Sequence, residues 1–563
     1  MSVILSDNII SPLGFTTRDN YQALKSGKTA LCLHEGLWGL PEPICASLFS
    51  DSQKRNLMIG GLTFFESLAV ASVREALKMT TFDISSPRVV FILASTKGNI
   101  QELENDTARG VRVNLADSAQ IIAQTIGVTT TPIVVCNACI SGTSAQVLAS
   151  RLIEAGEYDY AIVNGTDCLS KFVVSGFSSL KALSPTPCRP FDMDRTGMNL
   201  GEASATMILG KTDSGKDGAW HIIRCAVRSD AEHISNPSKT AEGLSRAVSA
   251  LLCDASELSL VSVHGTATLY NDQMEAVALQ RNNLLDIPIL ALKGYFGHTM
   301  GAGGILETII SLCCIEDGEP LPSKGYTELG VSAKINISDA PMKIKGHTLL
   351  KMISGFGGCN ATILISKDHR EDVMTRNHKT HVSHTVRMTT DDVILDGQMI
   401  PTQNSGKDML TELYKNHVGD YPRFYKMDIL SKAAFICSEL LLEAEGNRER
   451  HKENRGIILF NYTASIVSDR AFLHTITDEY YPSPSVFVYT LPNISGGEIS
   501  IRNGYHGETS FYILPQKSDD MINMIVETSF RDREICSAIC GWINCENENT
   551  FEAEMKIIKS SEL

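Results

Sequence analysis

Cys139 sits in "VVCNACISGTSA", residues 134–145, where an apolar run gives way to small residues that open a helix. A thiol on such a strand-to-helix turn is presented for attack, and the helix N-terminus favours its thiolate. Cysteine is a good acyl acceptor because its thioester can later be attacked by a carbon nucleophile. Two other readings stand beside this one: a Cys136/Cys139 dithiol or metal pair, and a buried structural sulfur. No second pair completes a four-thiolate zinc set, since Cys536 and Cys540 are spaced differently and lie some 400 residues away. Other segments crowd Gly, His and Lys at strand ends. They are "RPFDMDRTGMNLGEASA" (189–205), "VHGTATLYND" (263–272), "LKGYFGHTMGAGGILE" (292–307) and "SGFGGCNA" (354–361). His264 follows an apolar strand, and His298 follows Lys293 by five residues, just before a Gly-rich helix entry. Each segment alone is weak, and none satisfies the GxGxxG dinucleotide spacing. Their joint occurrence and order carry the signal.

The elements that must position these residues alternate. "RVVFILAS", "PIVVCNA" and "YAIVNGT" read as buried strands, and "TFFESLAVASVREALK" and "SGTSAQVLASRLIEAG" as helices, over residues 1–210. A second such series fills 211–366, with strands near "LVSVHGT", "ILALKGY", "LLKMISGF" and "ATILIS". This pattern predicts an α/β architecture with a buried sheet. Residues 367–395 are polar and His-rich and read as a linker.

The 563 residues exceed one domain, and 43% apolar content supports large cores. A net charge of -15 disfavours nucleic acid as a partner. No apolar run reaches the length of a membrane span, and "MSVILSDNIISPLG" lacks a basic leader. Fifteen scattered cysteines point to a reducing cytoplasm rather than a disulfide framework.

Residues 396–563 contain a weak repeat. Residues 63–77 align with 427–441, and 132–148 with 498–514, at offsets of 364 and 366. The tail therefore reads as a partial copy of the first half, with Tyr505 at the position of Cys139, ending about where the first copy reaches "RPFD".

The ordered run of "NACISGTSA", "PFDMDRTGMNLGEASA", "HGTATLYND", "KGYFGHTMGAGGILE" and "GFGGCNA", with an N-terminal "NIISPLGFTTRDNYQALKSGKTAL", resembles the β-ketoacyl-acyl carrier protein synthases, decarboxylating Claisen condensing enzymes of fatty acid and polyketide synthesis. The resemblance covers about residues 1–366. It implies the thiolase fold, two similar α/β halves in αβαβα layers, usually assembled as a dimer. It also implies Cys139 as acyl acceptor, and His264 and His298 as donors to the malonyl thioester carbonyl. Lys293 and Glu307 become a supporting ion pair. Phe356 becomes the gate, its N–H forming an oxyanion hole with that of Cys139. No cofactor or metal is implied, since substrates ride on the phosphopantetheine of acyl carrier protein. Cys359 follows both glycines and reads as structural, and the intact "KGYFGH" separates the chain from thiolases, which act on coenzyme A thioesters. "GEASA" departs from the more usual "GEGA". Lys181 and Arg189 are candidates for docking the acidic carrier.

The tail resembles truncated synthase-like proteins of bacterial aryl polyene or flexirubin-type clusters, and two readings of it stand side by side: residues 498–514 dock on another synthase subunit, or the tail is a degenerate, merely stabilising appendage. The assembly implied is a homodimer, or a heterodimer with a synthase-like subunit. A non-catalytic chain-length or pairing subunit is the alternative function, and a thiolase-like enzyme another.

Overall fold

The computed structural model describes residues 1–563 except 105–111, 212, 214–217, 253–256, 341–342, 369–377, 478 and 563. Its architecture is one five-stranded unit used three times. The first unit holds β1 (Ser2–Ile10), β2 (Val89–Ala94), β3 (Ile133–Val135), β4 (Tyr160–Asp167) and β5 (Ala203–Lys211). In the sheet they run β3-β2-β4-β5-β1, the first two pairings parallel and the last two antiparallel. The second unit holds β6 (His221–Ser229), β7 (Leu260–Ser262), β8 (Ile289–Leu290), β9 (Thr348–Gly355) and β10 (Cys359–Ser366). Its order β8-β7-β9-β10-β6 repeats the same sequence of pairings.

The third unit is the tail: β11 (His378–Met388), β12 (Arg455–Asn461), β13 (Thr509–Ile513), β14 (Ser537–Asn547) and β15 (Thr550–Glu562). The order β13-β12-β14-β15-β11 is again the same.

Strands covered on both faces are apolar throughout, which is why "VVFILA" of β2 is buried at every position. The helices follow the same logic. In the first unit α1 (Phe64–Leu77), α2 (Leu115–Ile126) and α3 (Ser141–Glu154) cover the sheet, and α4 (Lys171–Ser179) follows β4. The second unit supplies α5 (Glu242–Ser249), α6 (Leu269–Arg281) and α7 (Gly303–Asp317), and the tail α8 (Ile429–Glu445), α9 (Ile466–Leu473), α10 (Ile494–Asn503) and α11 (Asp519–Ser529). Helices α3 and α7 lie against each other and touch strands of both sheets, forming the middle layer of the expected thiolase arrangement. They are buried on every side for nearly their whole length. Gly142 and Gly304 permit the crossing: a Cβ at Gly142 would stand 2.6 Å from the Gly301 carbonyl oxygen, and one at Gly304 2.5 Å from the Thr143 nitrogen.

The tail corrects four expectations. Residues 378–388, expected within a linker, are β11, paired along its length with β15; residues 369–377 of that stretch lie outside the described ones. The strand is buried only at Val386 and Met388, and its exposed or half-buried positions, His381 and His384 among them, give it the polarity of a connector. The tail also extends past the expected end. β15 is the counterpart of β5, and the turn at Glu548 and Asn549 replaces residues 168–202 of the first unit. Tyr505 is not the counterpart of Cys139. Residues 494–503 form α10, and the strand equivalent to β3 is β13, so matching the starts of α3 and α11 puts Lys517 at the position of Cys139. Tyr505 precedes β13, fully buried and donating to the Arg448 carbonyl at 3.0 Å. An ungapped match could not register the shorter path through the tail's helices.

The docking expected on another subunit occurs within the chain. β13 pairs antiparallel with β3, Tyr512 opposite Val135 and Ile513 opposite Val134. The Cys136 N–H donates to the Phe511 carbonyl at 3.0 Å, and the Phe511 N–H to Asn137 Oδ1 at 2.6 Å. The outer edge of the first unit's sheet thus carries the chain's own third unit. Three buried ion pairs lock it, each with its cation on the first two units: Lys97–Asp469 at 2.5 Å, Arg151–Glu508 at 2.7 Å and Arg228–Asp532 at 2.6 Å. Removing one partner of a buried pair strands the other's charge, at about 3–5 kcal/mol. Glu508→Ala is therefore expected to lower thermal stability by about that amount in a denaturation series, and an unchanged midpoint would show that Arg151 finds water instead.

Candidate active site

Cys139 lies in the short turn between β3 and α3, directly after Ala138, whose φ of +47° is left-handed. Such a conformation costs about 1–3 kcal/mol in a non-glycine residue and persists only where the surroundings enforce it. The pairing of β3 with β13 and the Ser141 Oγ bond to the Ala138 carbonyl do so here. Met300 has the same φ, +47°, at the equivalent turn before α7. The two units thus bring matched elbows face to face, one carrying Cys139 and the other His298.

His298 Nε2 is 2.9 Å from Cys139 Sγ, and its Nδ1 accepts the Met300 N–H at 3.3 Å. His264 follows β7, its ring 5.1 Å from that of His298 and nearly perpendicular to it. Its Nδ1 is 3.0 Å from Lys293 Nζ, an obligate donor, which also donates to the His264 carbonyl at 2.6 Å. With both Nδ1 atoms accepting, each neutral imidazole carries its proton on Nε2. Burial, then the Lys293 charge, holds both histidines well below their ordinary value. Lys293 also pairs with Glu307 Oε1 at 2.6 Å. Burial acts to raise the Glu307 carboxyl, but Lys293 and Lys351 together hold it below the ordinary value. Burial pushes the Cys139 thiol up to about 12, against the Lys293 charge and the N–H groups of Cys139 and Phe356, which both favour the thiolate.

These groups line a cavity of about 330 Å³ that opens past Thr268, Leu269 and Tyr270. Among the expected residues, Cys139, His264, His298 and Phe356 line it, while Lys293 and Glu307 stand behind the histidines. Lys181 is on its rim; Arg189 faces Asp192 and Asp194 at 3.8 and 3.9 Å. Cys136 points away from the cavity, toward the Thr96 carbonyl, which separates it from Cys139 as a dithiol or metal pair. Cys359 is buried against the Phe356 carbonyl at 3.2 Å. One ligand atom each of Cys139, His264 and His298 falls within 4.8 Å of the others, spacing that suits a metal ion; Lys293 beside them would oppose its charge.

The sequence did not mark three further groups. Asp167 accepts from Ser95 Oγ and the Gly301 N–H, both at 2.7 Å, tying β2 and β4 to the turn that carries His298. Glu275 accepts the N–H groups of His264 and Gly265, at 2.6 and 2.7 Å. Lys351 pairs with the second oxygen of Glu307 at 2.5 Å. A lysine inside the apolar run "LLKMISG" was the available signal for the last.

Two pseudo-symmetric units with a cysteine on one elbow and histidines from the other define a thiolase-fold protein. Residues 61–214 match the β-ketoacyl synthase N-terminal domain and residues 221–327 the β-ketoacyl synthase C-terminal domain. Residues 61–327 thus carry both domains of a β-ketoacyl synthase. It is 26% identical over 407 residues to 3-oxoacyl-[acyl-carrier-protein] synthase 2 of Coxiella burnetii, covering 65% of this chain and 98% of that one. It is 28% identical over 253 residues to the tetracenomycin polyketide synthase ketoacyl synthase alpha subunit of Streptomyces glaucescens, covering 42% of this chain and 59% of that one. The solved PfaC keto synthase–chain length factor shares the fold with a TM-score of 0.79 at 13% identity, over 99% of this chain and 78% of its own. That likeness extends through the tail. No helix among the described residues is long and apolar enough to cross a membrane.

Proposed function

We propose that the chain is a 3-oxoacyl-[acyl-carrier-protein] synthase that condenses a Cys139-bound acyl group with malonyl-acyl carrier protein. The observation that carries this is the convergence of Cys139 with two imidazoles whose Nε2–H groups are fixed by occupied Nδ1 atoms. In the first half-reaction, Cys139 Sγ attacks the acyl thioester. The oxyanion is held by the N–H groups of Cys139 and Phe356, each such donor supplying about 3 kcal/mol. The carrier's phosphopantetheine thiol leaves with the proton of Cys139. In the second, the malonyl C–C bond breaks, carbon dioxide departs, and its electron pair enters an enolate whose oxygen receives the Nε2–H bonds of His264 and His298. The enolate carbon attacks the thioester carbonyl, and collapse of that intermediate leaves 3-oxoacyl-carrier protein and expels the Cys139 thiolate, which takes up a proton from solvent to restore the thiol. The residues supply every step, with no cofactor beyond the carrier's own prosthetic group. Lys181 on the cavity rim suits the acidic carrier, while Arg189 is engaged with its own aspartates.

The test is intact-mass spectrometry with acyl-loaded carrier protein, followed by malonyl-carrier protein. One acyl mass on the chain, then carbon dioxide and a carrier-bound 3-oxo product, is the expected course. A chain that takes no acyl group from any carrier would sink the reading in favour of a non-catalytic pairing subunit.

The tail's part in this reading is to close the acyl side of the site. Phe487 packs on Phe177 at 5.5 Å between ring centroids, and Phe177 on Phe356 at 6.2 Å. It fits there because residue 176 is glycine: a Cβ would lie 2.0 Å from the Phe487 ring. Asn493 Nδ2 donates to the Phe356 carbonyl at 2.7 Å, so the tail also braces the gate. Phe487→Ala is expected to shift products toward longer chains, read by mass spectrometry of the carrier-bound acyl group; an unchanged distribution would place the limit elsewhere.

A further inference from the structure

Lys351 has no step in the chemistry above, yet it lies fully buried in the middle of β9, opposite Ser262 of β7. Its Nζ donates to Glu307 Oε2 at 2.5 Å and to the Val263 carbonyl at 3.3 Å, one residue before His264. Glu307 is thereby divided, Oε1 to Lys293 and Oε2 to Lys351. A merely neutralising role toward Glu307 is already filled by Lys293, and the second ammonium is only partly answered by Glu275, a buried carboxyl that burial and Asp272 push up to about 7. Burying such a charge costs several kcal/mol, and an apolar side chain of similar length would fill β9 without that cost. The second ammonium therefore calls for a use.

We propose that Lys351 is a positioning residue of the condensation site: it fixes the Val263–His264 backbone and sets a second ammonium beside the one carboxylate of Glu307, which opposes a second proton on either imidazole. The inference rests on the condensation reading above. A second proton on Nδ1 would set donor against donor, facing Lys293 Nζ in His264 and the Met300 N–H in His298, and would swing the ring out of line. The charged and titratable groups around the pair are Lys293, Lys351, Glu307, Glu275, Cys139 and each other, with Asp167 beyond Cys139. Lys351 acts on both histidines in the direction that keeps them neutral.

The test is the pH dependence of carbon dioxide release from malonyl-carrier protein by the full chain. Lys351→Met removes the second ammonium, so the imidazoles take up the second proton at higher pH. The acid limb is expected to move to higher pH, with a loss of about 10²-fold at the acid end, the scale of a misplaced catalytic group. Glu307→Gln raises the charge and is expected to move the limb the other way. The double variant, which restores the parent's charge balance, should return toward the parent profile. A rate lowered evenly at every pH in Lys351→Met, or a double variant no nearer the parent, would overturn the proposal. If Lys351→Met does not fold, an unmoved limb in Glu307→Gln overturns it. Absence of carbon dioxide release by the unaltered chain would instead strike the condensation reading.

Discussion

Cys139→Ala is expected to abolish acyl-enzyme formation outright while leaving malonyl-carrier protein decarboxylation in place. The two half-reactions use separable groups. In the proposed reaction the thiol carries the acyl chain, whereas His264 and His298, held by Lys293 and the Met300 N–H, would receive the malonyl carbonyl without needing the sulfur. The mirror-image result is expected of His264→Ala and His298→Ala. Each removes one preorganised donor to a developing oxyanion, a change typically worth 10²–10³-fold. Each should still gain the acyl mass, because the N–H groups of Cys139 and Phe356 remain. Parallel measurement of mass gain and carbon dioxide release separates the classes. If alanine at position 139 silenced both, or if the histidine variants lost acylation as fully as decarboxylation, the assignment of roles would be wrong.

A chain cut after residue 366 is expected to be insoluble when produced alone, and to be rescued by co-producing residues 367–563. Truncation uncovers the edge of β3, the three cations Lys97, Arg151 and Arg228, and the face of Phe177 on which Phe487 packs. An open strand edge beside apolar surface is a template for aggregation. Net stabilities of only about 5–15 kcal/mol leave little margin for losing such an interface. Soluble yield and sedimentation measure the outcome. A soluble, active 1–366 fragment would show that the third unit is an accessory rather than part of the folded core.

The elements that carry chemistry were the most legible from the chain. Continuous apolar runs such as "VVFILA" and "PIVVCNA", followed by Gly and small residues, gave away strands and helix starts because both faces of each central sheet are covered. Cys139, His264 and His298 stood out as chemically capable residues at strand ends, whereas Lys293, Glu307 and Phe356 were picked out through the family resemblance. Lys351 and Glu275 did not: their partners come from other elements, and spacing along the chain says nothing about which strand lies beside β7. The tail was half legible. The match of 63–77 with 427–441 held because α1 and α8 are equivalent helices. The second match failed because the tail keeps the unit's topology while changing the lengths between its strands, so that β13 lies twelve residues out of the assumed register. The strand β11 was missed because an edge-side strand with a solvated face is polar and charged, the composition of a connector.

The continuous ladder from β3 to β13 has a bearing on how the molecule behaves in a cell. Two synthase-like bodies that would otherwise have to find each other are made in equal number by the same ribosome, at an effective concentration set by the connecting segment. Their pairing is thus insensitive to dilution and to competition from related subunits, and whatever chain length the third unit imposes is inherited as a single-gene trait.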